Sequence, residues 1–439
     1  MSRPAISPSH AATAAYAAGS FGTGVFSTVP TILLLYFCTE ILALPAKWAT
    51  AIVFVPKVWS IVWDPFVGAW SDQSTSALGR RRPFLIAGTL GVTVSFIAVF
   101  SPPAAGPAAT ACWVAAAYFL LATLYSLFAV PYVAIPAEVC GEREARARMV
   151  SWRMLVAMIG ILTGAGLVPP IVAFAGGGRH GYAIMSLLVA GACAIAMLAP
   201  VLMMRGRDPQ RRAASTRTPQ PLLANLWSAL GAPRFRALAI AYLLQLTAVG
   251  VISSATPYLV TRVFGRGEAD IGTAMLAMLV VTTVTIPAWA WAGRRFGEAR
   301  ALVAAVVAYA LLAAGLGLLA FVAAPWLAAL SCYALLGAPF AAMQVLPYTM
   351  VAHLIHADSL LGHAAEGSFT GVWTATEKLG LALGPALTGL VLWLAAGPRA
   401  GSLAVLTMTA PAVLALGSVA LLRRDEPTVP VVPSLAGGT

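Results

Sequence analysis

Charge is what this chain has least of. Only 10% of its 439 residues are Asp, Glu, Lys or Arg, and acids are the scarcer sign, 15 against 27 basic residues. A soluble domain carries about 25% charged residues, so a water-exposed globular fold is excluded. Cysteine is sparse as well. Cys38, Cys112, Cys140, Cys193 and Cys332 are scattered in or beside apolar runs without a CxxC pair. That pattern excludes a disulfide or metal framework and reads as small core residues. HExxH, GxSxG and paired catalytic acids are absent, so an enzyme is not expected, and neither is a cofactor or a metal. His353, His356, Asp358 and His363 resemble a metal cluster only in content.

Apolar sequence fills the space that charge leaves. Hydrophobic residues make up 60% of the chain, and mean hydropathy is +0.86. A membrane span needs about 20 apolar residues. Runs of that kind recur at 14–43, 46–70, 83–102, 109–139, 149–175, 181–204, 236–263, 270–292, 299–321, 325–354, 367–396 and 400–422. The fold class is therefore an all-α polytopic membrane protein of about twelve transmembrane helices, with the lipid bilayer as its solvent. The first run follows a short polar leader and should be retained, with no cleavable signal. One long polar stretch interrupts the spans, near residues 205–235, rich in Arg, Ser, Thr and Pro. It divides the chain into an N-terminal six-helix bundle (1–204), a linker (205–235), a C-terminal bundle (236–424) and a flexible tail (425–439). The halves echo each other: Val130-Pro131-Tyr132 matches Leu346-Pro347-Tyr348, and Gly79-Arg80-Arg81 matches Gly293-Arg294-Arg295. Related halves around a central cavity are a recurring way to build a carrier.

The net charge of +12 would suit nucleic acid if it were gathered on one face. It is dispersed over many loops, so nucleic acid is not an expected partner. With the N-terminus cytoplasmic, nineteen of the 27 basic residues fall on that side and only Lys47, Arg179, Arg262, Arg266 and Arg399 on the other. This positive-inside bias places the protein in an inner, plasma-type membrane with both termini cytoplasmic.

Three basic residues lie within spans: Lys57, Arg153 and Lys378. Asp64 is the single acid of the second span. An acid in a membrane marks an ion or solute path by default. Lys57, Ser60, Asp64 and Gly68 step by three or four residues and so share one helix face. Such a stripe should face a cavity, or else satisfy partners on neighbouring helices. Proline recurs in the spans, as at Pro30, Pro56, Pro131, Pro339 and Pro347, either as tolerated kinks or as hinges.

Gly68, Asp72, Gly79, Arg80 and Arg81 resemble the G-x-x-x-D-x-x-G-R-R loop motif of the major facilitator superfamily, with a longer spacer. Its physical content is a charged latch, with Arg82 beside it, whose pairs break as the carrier opens. Three segments narrow the resemblance. They are Trp63-Asp64-Pro65-Phe66-Val67-Gly68 with the Gly-Arg-Arg-Arg-Pro-Phe run, Ala129 to Glu138 continuing to Trp152-Arg153, and Gly367 to Gly384 with Thr374-Ala375-Thr376-Glu377-Lys378. Together they are similar to the glycoside–pentoside–hexuronide:cation symporter family (melibiose-permease-like). The resemblance implies two six-helix bundles and solute uptake coupled to sodium, lithium or a proton. It also implies roles. Asp64 would be a cation-site acid, with Ser60 and Thr374 contributing hydroxyls, and Arg153 and Lys378 would meet the solute. Lys57, Tyr132, Trp373 and Glu377 complete the candidate solute contacts.

Several family positions are changed. The second cation-site acid falls on Ser60, the fourth-span acid on Ala129, a sugar-stacking aromatic on Val133 and the first-span sugar-binding aspartate on or near Gly24. Sodium prefers several hard oxygen ligands, whereas a proton needs one titratable group, so Asp64 alone favours proton coupling. The excess of cations over Asp64 and Glu377 points to an anionic solute, unless those two acids neutralise two of the three. A small polar, sugar-like solute with a coupling cation is the expected cargo of a monomeric carrier. The changed sugar positions keep open a carrier or exporter of an amphiphile, lysophospholipid or secondary metabolite. Glu138, with Glu142, Arg143, Glu144 and Arg146, is expected to form a salt-bridge cluster at a helix end.

Overall fold

The computed structural model describes residues 9–140, 142–204, 231–322, 324–360, 366–395, 397 and 399–424. The tail and most of the linker expected from the sequence lie outside the described residues, as do His363 and the side chains of His356 and Asp358. Among the described residues twelve helices are long and apolar enough to cross a membrane. They are α1 (His10–Ile41), α2 (Ala46–Gln73), α3 (Arg82–Phe100), α4 (Pro107–Val139), α5 (Glu144–Phe174) and α6 (Gly178–Met203). The second set is α7 (Pro233–Val263), α8 (Glu268–Phe296), α9 (Glu298–Phe321), α10 (Trp326–Leu354), α11 (Gly371–Leu394) and α12 (Ala400–Leu422). The all-α polytopic fold expected from the apolar runs is what forms.

Within each half the connections are short, so consecutive helices run antiparallel. Gly79, at φ 102, makes the turn of the arginine loop between α2 and α3, a conformation in which a Cβ would be strained. That loop marks one end of the molecule; the α1–α2 and α7–α8 connections mark the other, here termed the far end.

Packing repeats from half to half. α1 packs on α5 and α6 as α7 packs on α11 and α12; α4 packs on α2 and α3 as α10 packs on α8 and α9. Between halves, α2 lies along α11 and α8 along the far-end part of α5. The repeat extends to backbone detail. α1 and α7 each end in one wide helical turn, Phe37–Ile41 and Leu259–Val263. In both, the chain leaves the helix through matching bonds, Leu42 N–H to Phe37 O and Phe264 N–H to Leu259 O, each 2.9 Å.

Those wide turns meet each other. Glu40 and Arg262, separated by 222 residues, form an ion pair. The Tyr36 and Tyr258 rings meet edge to face at 5.3 Å, and Thr39 Oγ1 hydrogen-bonds Tyr258 OH at 2.6 Å. Nearby, Gly272 of α8 presses on Gly166 of α5 so tightly that a Cβ on Gly272 would lie 2.2 Å from the Gly166 carbonyl oxygen. The two halves are sealed together at the far end.

Candidate functional site

The polar stripe on α2 faces protein, because Trp59 and Trp63 dock the helix on α4. Their indole N–H groups donate to Thr123 Oγ1 (3.0 Å) and the Thr123 carbonyl (3.1 Å). A cavity of about 170 Å³ results, enclosed by α1, α2, α4 and α11 and lined by Ser27, Thr31, Lys57, Ser60, Tyr125 and Lys378 among others. Its wall is therefore cations and hydroxyls set among aromatic and aliphatic groups.

Asp64 and Lys378 form an ion pair through Oδ2, linking the first half to the second. The other carboxylate oxygen, Oδ1, is buried without a hydrogen-bond partner. Leaving a buried acceptor unmade is costly. Lys57 is not the partner of Asp64. Its ammonium donates instead to Thr31 Oγ1 on α1 and to the Leu381 carbonyl on α11, both at 3.2 Å. Ser60, which also lines the cavity, donates back to the Lys57 carbonyl at 2.8 Å. Thr374 is exposed on α11, one turn before Lys378.

Other candidates stand apart from this cavity. Tyr132 is only 1% exposed. It stacks on Tyr16 at 4.7 Å and hydrogen-bonds Ser20 at 2.8 Å, holding α4 to α1. Arg153 lies over the Tyr132 ring at 5.7 Å, and its Nε is buried without a partner. Trp373, 3% exposed, stacks face to face on Tyr242 at 4.3 Å. In this conformation Tyr132 and Trp373 are helix-packing residues and present no ring to a solute. Glu377 accepts a 2.6 Å bond from the Tyr348 hydroxyl and so is not the counter-ion of Lys57.

The absent first-span aspartate has a steric reason. A Cβ on Gly24 would sit 2.5 Å from the Ala157 carbonyl oxygen, and one on Gly160 would sit 2.4 Å from the Phe21 carbonyl oxygen. α1 and α5 touch backbone to backbone where a carboxylate would project. Val133, in contrast, is exposed.

At the arginine-loop end, Arg81 is buried and pairs with Asp72 and, at 2.7 Å, with Glu138; Arg80 pairs with Glu138 as well. Arg81 also donates to Ser71 Oγ at 2.5 Å. Gly68 lies one turn before this cluster in α2, where a Cβ would stand 3.6 Å from Val130 Cγ1 of α4. Arg82 donates to the Val201 carbonyl of α6 at 3.1 Å. Glu138 thus corrects the expectation: it joins Asp72 and the arginines, while Arg146 donates to the Cys140 carbonyl at 3.4 Å. Sequence reasoning also passed over Ser27, Thr31 and Tyr125. Ser27 and Thr31 had a faint signal, two hydroxyls one turn apart in an apolar run. The Leu381 carbonyl had none, since a backbone oxygen carries no residue identity.

Comparison with known proteins agrees with this architecture. A family model described as MFS/sugar transport protein matches residues 15–425. The inner membrane symporter YicJ of Escherichia coli is 24% identical over 54% of this chain and 51% of its own. The sodium-dependent lysophosphatidylcholine symporter 1 of Xenopus tropicalis is 24% identical over 61% of this chain and 57% of its own. The chain thus aligns with about half the length of these relatives. Among solved structures, the nucleoside transporter NupG superposes with a TM-score of 0.70 at 13% identity, covering 94% of this chain and 100% of that one.

Proposed function

The chain belongs to the MFS/sugar transport protein family, and from that premise we propose that it is a secondary active transporter coupling a small polar, sugar-like solute to a proton through Asp64. The observation that carries this reading is the divided state of that carboxylate. One oxygen is held by Lys378 of the opposite half and the other is buried without a partner. Protonation would discharge the pair and free the two halves to move, which ties ion occupancy to the alternation of access. A sodium cage would need more oxygens than one carboxylate with Ser60 and Thr374 brings.

The rest of the molecule supports the same cycle. The spread of arginines favours placing the arginine-loop end in the cytoplasm. The far-end contacts of α1 with α7 and of α5 with α8 then describe a carrier closed to the outside. The cluster of Asp72, Arg80, Arg81 and Glu138 becomes the cytoplasmic latch of the first half.

The test uses the full chain reconstituted in liposomes, with radiolabelled glycosides, hexuronides and lysolipids as probes. Asp64→Asn should abolish accumulation driven by a pH gradient while leaving solute exchange between equal concentrations. Full coupling to the proton gradient in Asp64→Asn would end the proposal.

A second reading has one observation in its favour. An apolar groove of about 530 Å³ lies between α2 and α4, lined by Trp48, Val55, Pro56, Cys112 and Phe119, and it shares Pro56 with the polar cavity. A polar head in the cavity with an acyl chain in this groove is the geometry an amphiphile requires. Uptake of lysolipid but of no glycoside in the same assay would select it.

A further inference from the structure

Of the cationic side chains within the spans, Lys57 stands in a distinct electrostatic position. Lys378 is neutralised by Asp64, and Arg153 rests over an aromatic ring. Lys57 lines the cavity, yet neither of its hydrogen-bond partners is an acid. The Thr31 hydroxyl and the Leu381 carbonyl are neutral, and both bonds are long at 3.2 Å. An ammonium has three donors, so one remains for the cavity. A cation enclosed by protein without a counter-ion is costly, and the missing charge is most simply supplied by what the cavity binds.

We propose that Lys57 is the residue that selects the solute, by ion-pairing its carboxylate or phosphate, and that this pairing releases the bond from Lys57 to Leu381. The inference rests on the transport reading for its setting and adds the charge of the cargo. Its second part follows from position. Thr31 belongs to the first half and Leu381 to the second, so the ammonium bridges the halves. An anion adds full charge–charge attraction to the hydrogen bond, which a neutral oxygen cannot supply, and that attraction is strong away from bulk water. An anionic group therefore outcompetes the Leu381 carbonyl, and the bridge opens only when the correct charge arrives. A neutral solute offers no such exchange and leaves the bridge in place. Asp64, two turns along the same face, pairs with Lys378 and not with Lys57, so solute charge and coupling ion are read by separate residues.

The experiment measures ligand-induced thermal shifts of the detergent-purified full chain, with probe pairs differing in charge. Phenyl β-D-glucuronide is set against phenyl β-D-glucoside, and lysophosphatidic acid against monoacylglycerol, so the sugar-acid and lipid-phosphate sources are distinguished. Wild type should bind the anionic member of one pair at least about tenfold tighter than its neutral partner. Lys57→Met should lose that preference while keeping the weak binding of the neutral member, which shows the fold intact, and Lys57→Arg should keep the preference. Equal binding of both members by wild type, a preference that survives Lys57→Met, or no binding of any probe would overturn the proposal. Anion-selective binding without any gradient-driven uptake would instead sink the transport reading and leave the role of Lys57 standing.

Discussion

Asp64, Lys57 and Gly24 show how much one residue decides in this protein. Asp64 spends one oxygen on Lys378 and leaves the other without a partner. Lys57, seven residues earlier, is held by neutral oxygens alone. Two charges on one helix face thus avoid each other, because each finds its oxygens or its cation on a different neighbouring helix. Gly24 shows the opposite constraint. Restoring an acid there, Gly24→Asp, should not improve binding of any sugar. It should destabilise the protein by at least the ~1–3 kcal/mol of overpacking, seen as a lower melting temperature of the purified protein, since the Cβ alone would stand 2.5 Å from a carbonyl oxygen. Legibility followed chemistry at this scale. The acid and lysines were visible because charge in an apolar run is conspicuous. Their pairing was not, since a helix periodicity says which face a residue shares and nothing about what stands opposite.

At the scale of elements, the paired ends of α1 and α7 act as the far-end seal. Glu40 is nearly buried while Arg262 is half-exposed, so water reaches the pair from the arginine side. Cys38, fully buried beside it, is a native reporter. In a background lacking the exposed Cys112, Arg262→Ala should raise the rate of Cys38 labelling by a membrane-impermeant thiol reagent severalfold. An unchanged rate would show that the Tyr36–Tyr258 contact and the glycines carry the closure alone. These matched wide turns lay hidden in the sequence: Glu40 and Arg262 are unlike in chemistry, so no repeat of letters marks them. Their equivalence is a property of the backbone.

The whole molecule is two similar bundles that meet closely at the far end. Gly166 and Gly272 let α5 and α8 meet at backbone distance, a device that small residues make possible in membranes. Gly272→Leu should hold the far end apart, speeding Cys38 labelling and lowering net transport at least tenfold, while the protein remains folded. Normal transport with slow labelling would show the contact to be dispensable. Residue order alone determined that this chain spans a membrane about twelve times, in two halves, with a basic loop at one end and an acid buried in the second span. Those properties follow from transfer free energy and periodicity, which act locally and additively along the chain. Only the tertiary structure decided that Lys378 neutralises Asp64, that Glu138 joins the arginine cluster, that Tyr132 and Trp373 are packing residues, and that Lys57 has no acid beside it. Such pairings depend on which helices become neighbours, and they join residues as far apart as Asp64 and Lys378, 314 positions along the chain.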